Sequence, residues 1–247
     1  MRRRDFLGLA AAFGTLPLAR SVTSHLAAPD GHVEAQATPA PSNPAATGER
    51  PLGLGSTRDG LLYMPRGYDA ARPIPLVVML HGAGQNGQRM RSIFPLADDF
   101  GVVIVAPDSR DRTWDGIRGE AGPDAAFISS ALGSVIADLG ARPQKLAIGG
   151  FSDGASYALG LGLGNGELFS HVIALSPGFV TSGLRRGKPR VFVSHGTQDQ
   201  ILPIDRTSRV IVPSLKAEGY DVLYREFDGP HRLLPEIARE AFDWLMK

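Results

Sequence analysis

Several short runs of this chain are apolar from end to end rather than alternating, and no other feature limits its possible folds as strongly. Residues 76–80 (LVVML), 102–106 (VVIVA) and 172–175 (VIAL) are of this kind, and 145–149 and 191–194 repeat the type. A strand with one wet face alternates; a strand apolar throughout has both faces covered, as in a parallel sheet between layers of helices. The segments between supply that cover. Phe127, Ile128, Ala131, Leu132, Val135, Ile136 and Leu139 recur at helical spacing after Pro123 and Asp124, a good helix start. Pro235 opens a last segment with Ile237, Ala238, Ala241, Phe242 and Leu245 on one face, and residues 208–218 read as helical despite Pro213. The expected class is α/β, a mostly parallel central sheet with helices on both faces.

Composition narrows the chemistry. The 247 residues contain no cysteine, which excludes disulfides, a thiolate nucleophile and thiolate metal ligands together. Lys and Arg number 26 against 25 Asp and Glu, a net charge of +1, so no global field favours nucleic acid or an anionic membrane. The first residues read separately: an arginine cluster joined to a short apolar run is signal-peptide architecture. Arg3-Arg4-Asp5-Phe6-Leu7 has the R-R-x-F-L order of a twin-arginine export address; the plainer alternative is a basic amphipathic helix. We expect a leader over 1–37, ending at the A-x-A of Ala35-Gln36-Ala37, a Pro/Ala/Ser-rich linker over 38–50, and a catalytic domain over 51–247. That organisation implies export to the periplasm or medium by the twin-arginine machinery, with no stable membrane anchor once the leader is gone.

LHGAGQNG at 80–87 follows an apolar run and contains G-x-G-x-x-G. Such a loop could cradle a dinucleotide, with Asp108 standing where a ribose-binding carboxylate belongs. The motif is a weak signal among 30 glycines, and about 200 folded residues leave little room for a second substrate domain. A stronger pattern lies downstream. LAIGGFSDGA at 146–155 reads as strand, abrupt turn and helix, with Ser152 central to a G-x-S-x-G, the arrangement that points a nucleophilic hydroxyl out of the sheet. A serine hydroxyl needs a base, itself oriented by a carboxylate. VFVSHGTQDQILP supplies Asp199 after one later strand, and VLYREFDGPH supplies His231 after the last.

From about Gly60 to Lys247 the chain resembles the α/β-hydrolase family. Within it, the resemblance is to small serine esterases of the phospholipase/carboxylesterase and polyhydroxybutyrate-depolymerase-like or feruloyl-esterase-like kind. It is carried by LHGAGQNG at 80–87, GGFSDGA at 149–155, SHGTQDQILP at 194–203 and FDGPH at 227–231, with nucleophile, acid and base in the chain order of these enzymes. The resemblance implies a triad of Ser152, Asp199 and His231, an oxyanion hole from the backbone N–H groups of Ala83 and Asp153, and no metal or organic cofactor. It implies as partner a small or polymer-linked ester, and the short connections between strands argue against a large lid domain.

Other residues carry plainer readings. His81 and His195 precede glycines at strand ends and read as structural histidines bonded to backbone, His171 as an exposed strand opener, and His25 and His32 as part of the leader. Asp205 reads as a helix cap, and Asp228 as too near His231 in sequence to orient it. Asp108, Asp111, Asp115, Glu120 and Asp124, interleaved with Arg110, Arg112 and Arg118, read as a salt-bridged surface rather than a calcium loop. Trp114, Phe179, Ile201 and Leu233 are candidate walls of a substrate pocket. Two other classes compete with an esterase: a non-catalytic binding protein on the same fold, and a dinucleotide-dependent oxidoreductase, which leaves the Ser152, Asp199, His231 order unexplained.

Overall fold

The apolar runs form the middle of one eight-stranded sheet. The computed structural model describes residues 31–35, 46–55, 57–119, 122–140, 143–181 and 183–247. Its strands are β1 (Gly48–Pro51), β2 (Gly60–Met64), β3 (Leu76–Leu80), β4 (Val103–Pro107), β5 (Leu146–Phe151), β6 (His171–Leu175), β7 (Arg190–Gly196) and β8 (Val222–Phe227), in the order β1-β2-β4-β3-β5-β6-β7-β8. Only the pairings of β2 with β1 and β4 are antiparallel; every other neighbour pair is parallel. Among the described residues five α-helices cover the sheet: α1 (Phe94–Phe100), α2 (Pro123–Leu139), α3 (Asp153–Gly164), α4 (Ser208–Ala217) and α5 (Pro235–Met246).

The lack of alternation in the strands has its cause in two cores. Leu76, Val78 and Leu80 of β3 pack with Ile128, Leu132 and Val135 of α2, Leu159 of α3 and Ile211 of α4. Val77 and Met79, pointing the other way, pack with Leu96 and Ala97 of α1 and Phe242 and Leu245 of α5. Each such side chain contributes about 1.5–3 kcal/mol by leaving water, and a polar residue on either face would forfeit it. The α/β sandwich expected from sequence is the architecture found, and among the described residues no large lid domain interrupts it.

Three details differ from expectation. β1 lies partly inside the stretch read as linker; its polar sequence GERP is half exposed and held by backbone pairing to β2, which hydrophobicity does not register. Residues 31–35, read as leader, lie against the body: Val33 is 2% exposed within the core. Its N–H donates to Asn165 Oδ1 at 3.0 Å, the Asn165 amide donates to Gly31 O at 3.2 Å, and Glu34 N–H donates to Ser129 Oγ at 3.1 Å. His171 is buried rather than exposed, edge-on to Trp244, and burial pushes its pKa down to about 4. Arg3, Arg4 and Glu120 lie outside the described residues. Among the described residues, no helix is long and apolar enough to cross a membrane.

Candidate active site

All the chemistry-bearing motifs end up at the carboxyl edge of the parallel strands, where β5 gives way to α3 within one residue. That residue is Ser152, with φ 59° and ψ −121°, a conformation that L residues avoid and that costs about 1–3 kcal/mol. The surroundings impose it. Ser152 N–H donates to Leu175 O on β6 at 3.0 Å, and its carbonyl receives Ser156 N–H at 3.0 Å in the first turn of α3. The side chain is thereby aimed away from the sheet.

Ser152 Oγ lies 2.9 Å from His231 Nε2, and His231 Nδ1 lies 2.5 Å from Asp199 Oδ2. A carboxylate only accepts, so His231 Nδ1 carries the proton and Nε2 receives the serine hydroxyl. The imidazole rests on Phe151, ring centroids 4.7 Å apart. Asp199 has a fully buried side chain, and four donors meet its two oxygens. Ile201 and Leu202 N–H donate to Oδ1 at 2.9 and 2.8 Å; His231 Nδ1 and His195 Nε2 face Oδ2 at 2.5 and 3.1 Å. The contact from His195 goes beyond the backbone bonding expected of this ring, which it also makes, to Leu202 O at 2.8 Å. The rival acids are turned elsewhere. Asp205 accepts from Arg209 rather than capping α4, and Asp228 accepts from the Gln198 amide.

The glycine-rich loop runs beside Ser152: a methyl group on Gly82 would stand 3.4 Å from Ser152 Cβ. Ala83 follows in the same turn, and Asp153, as first residue of α3, has an N–H with no acceptor one turn back in the helix. The Asp153 carboxylate takes the Thr113 hydroxyl at 2.7 Å. The loop is anchored on its far side. Asp108 accepts from Gly87 N–H at 2.7 Å, and Arg58 donates to Gln85 O at 3.0 Å. Asp108, the would-be ribose carboxylate, is thus engaged in holding the loop. A Cβ at Gly87 would stand 2.1 Å from Ala106 O, so here glycine permits the loop to close onto β4. His81 is buried; Ser109 N–H donates to its Nε2 at 3.0 Å, leaving Nδ1 to donate to Gly82 O at 2.8 Å. Burial holds its pKa below the ordinary value, and the ring ties this loop to the segment after β4.

The four candidate pocket residues separate. Trp114 is 0% exposed, stacks on Tyr157 and donates Nε1–H to His81 O at 2.9 Å. It is core beneath the loop and lines no open pocket, because its NH and both faces are already engaged. Phe179 and Ile201 are 44% and 70% exposed, and Leu233 is half-buried against the α1/α5 core. Asp115 and Asp124 each accept the other's backbone N–H at 2.7 Å. Burial, with Asp115 beside it, raises the pKa of Asp124 to about 6. Arg118 pairs with Asp111.

Residues 53–217 match the model of the Esterase family. Feruloyl esterase C of Emericella nidulans is 27% identical over 157 residues, which are 60% of this chain and 57% of that protein. Acyl-protein thioesterase 1 of Gibberella zeae is 30% identical over 121 residues, 44% of this chain and 51% of that protein. The matches therefore span little more than half the length of these curated relatives. The crystal structure of esterase PE8 superposes with a TM-score of 0.61 at 24% identity, covering 75% of this chain and 96% of that one, a likeness of fold.

Proposed function

The chain belongs to the Esterase family, and from that premise we propose that it hydrolyses carboxylic esters through an acyl-enzyme on Ser152. The observation that carries the reading is the unbroken contact from Ser152 Oγ to His231 Nε2 at 2.9 Å and from His231 Nδ1 to Asp199 Oδ2 at 2.5 Å. His231 takes the serine proton as Oγ attacks the ester carbonyl, and Asp199 stabilises the imidazolium that forms. The carbonyl oxygen becomes an anion between the N–H groups of Ala83 and Asp153, each worth about 3–4 kcal/mol of barrier lowering. His231 then returns the proton to the leaving alcohol, and water activated by the same ring releases the acid.

Phe179, Ile201 and Leu233 form the apolar side of the substrate groove in this reading, with Trp114 supporting it from below. The exposure of Phe179 and Ile201 suits an ester that approaches from solution, free or attached to a polymer. The arginine pair and the apolar run that follows it support a leader, and with it export by the twin-arginine machinery. No cofactor enters this chemistry.

Intact mass before and after a fluorophosphonate probe tests the proposal, alongside turnover of p-nitrophenyl acetate. One adduct on Ser152, absent from Ser152→Ala together with the turnover, is the expected result. A folded protein that takes no label and turns over no ester would leave a binding protein on this fold as the better reading.

A further inference from the structure

His195, at the end of β7, is fully buried and bonded at both ring nitrogens. Nδ1 lies 2.7 Å from Ser208 Oγ, and Nε2 lies 2.8 Å from Leu202 O and 3.1 Å from Asp199 Oδ2. Both neighbours of Nε2 are acceptors with no proton of their own. Nε2 therefore carries the hydrogen, shared between them, and the Ser208 hydroxyl donates to Nδ1. Burial holds the pKa of this ring below the ordinary value, so the neutral form persists.

We propose that His195 is a positioning residue for the acid of the Ser152–His231–Asp199 relay: its shared Nε2–H fixes Asp199 Oδ2 and the Leu202 carbonyl together, and Ser208 sets its tautomer. The inference rests on the esterase reading and deepens it. Without His195, Oδ2 keeps only the bond from His231, and the angle of the carboxylate about its last torsion rests on that bond and on the Ile201 and Leu202 N–H groups at Oδ1, themselves part of the turn that His195 ties. The 199–202 turn would also lose its tie from Leu202 O back to β7. A neutral ring suits the task. A cation 3.1 Å from Oδ2 would draw on the negative charge that must stabilise the imidazolium of His231, whereas a neutral N–H gives direction and leaves that charge in place.

The consequence is a dependence that runs chiefly through Asp199. Displacing a catalytic group by about 1 Å costs on the order of 100-fold, so His195→Ala is expected to lower kcat/KM by roughly 10- to 100-fold. Most of the loss should lie in kcat, because the ring is buried away from the substrate face. His195→Gln, which keeps a donor near the Nε2 position, should recover most of it. The deciding experiment is a double-mutant cycle with Asp199→Ala, each variant's rate normalised to the fraction that fluorophosphonate labels. In the Asp199→Ala background, His195→Ala is expected to cost less than about threefold. An equal loss in both backgrounds, or the same loss in His195→Ala and His195→Gln, would assign His195 a purely structural role and overturn the proposal. So would full activity in His195→Ala. Failure of the esterase reading is visible separately, as absence of Ser152 labelling in the unsubstituted protein.

Discussion

An indole with no exposed atom cannot touch a substrate, and Trp114 is such a ring, stacked on Tyr157 and hydrogen-bonded to the His81 carbonyl. Phe179, by contrast, leaves 44% of its surface in water, and Ile201 leaves 70%, so truncating either removes little packing. The two kinds of residue should respond oppositely to truncation. Trp114→Ala should destabilise by about 3–5 kcal/mol and lower activity only as folded protein is lost. Phe179→Ala and Ile201→Ala should leave the melting temperature nearly unchanged and raise KM for esters with apolar acyl groups severalfold. Thermal unfolding beside KM across an acyl series separates the cases, and an unchanged KM in both exposed-site variants would remove them from the groove. Sequence placed all four aromatic and aliphatic candidates in one class because residue type does not encode exposure. Ser152, Asp199 and His231 were legible for the opposite reason: each sits in a local motif at a strand end, where the fold can deliver it to a single edge. The contact of His195 with Asp199 was not legible, since whether a ring nitrogen reaches backbone or carboxylate depends on ångström placement across the 195–202 loop.

At the scale of the element, the placing of Ser152 depends on a strand and a helix that nearly collide. A Cβ at Gly154 would lie 2.3 Å from Leu80 O and 2.5 Å from His81 O, both backbone atoms that cannot step aside. Gly154→Ala must therefore push α3 away from β3, and with it the Ser152 elbow and the neighbouring glycine-rich loop, the proposed oxyanion site. We expect a loss of kcat/KM of at least 100-fold, on the scale of a displacement of about 1 Å in a catalytic group. Far-UV circular dichroism should change little, and fluorophosphonate labelling should slow in proportion to kcat/KM. Labelling at the unsubstituted rate would show that the elbow tolerates a methyl group. The same comparison explains what was visible at this scale. β3 to β7 announce themselves because both faces are buried, and the path of α4 through Pro213 is kept by Ile211, Val212 and Leu215 against the core. β1 stayed hidden because backbone pairing alone places it in the sheet.

For the molecule as a whole, the open question is where its folded body begins. A leader over 1–37 and a linker over 38–50 follow from composition and the A-x-A triplet, yet Val33 stands in the core and Asn165 reads the backbone on both sides of His32. Removing residues 31–35 would uncover the apolar site of Val33 and leave the buried Asn165 amide without those two partners. The first effect is worth about 1–3 kcal/mol and the second about as much again. Under the leader reading, a processed protein that keeps this segment should be the more stable form, and we expect cleavage before Gly31 rather than after Ala37. Two versions, beginning at residue 31 and at residue 38, should differ in melting temperature by roughly 5–10 °C, and Val33→Asp in the longer one should reproduce most of the loss. N-terminal sequencing of the protein recovered from periplasm or medium decides the processing question directly. A mature chain starting at Thr38 with the melting temperature of the longer version would return residues 31–35 to the leader and make their packing incidental to the folded protein.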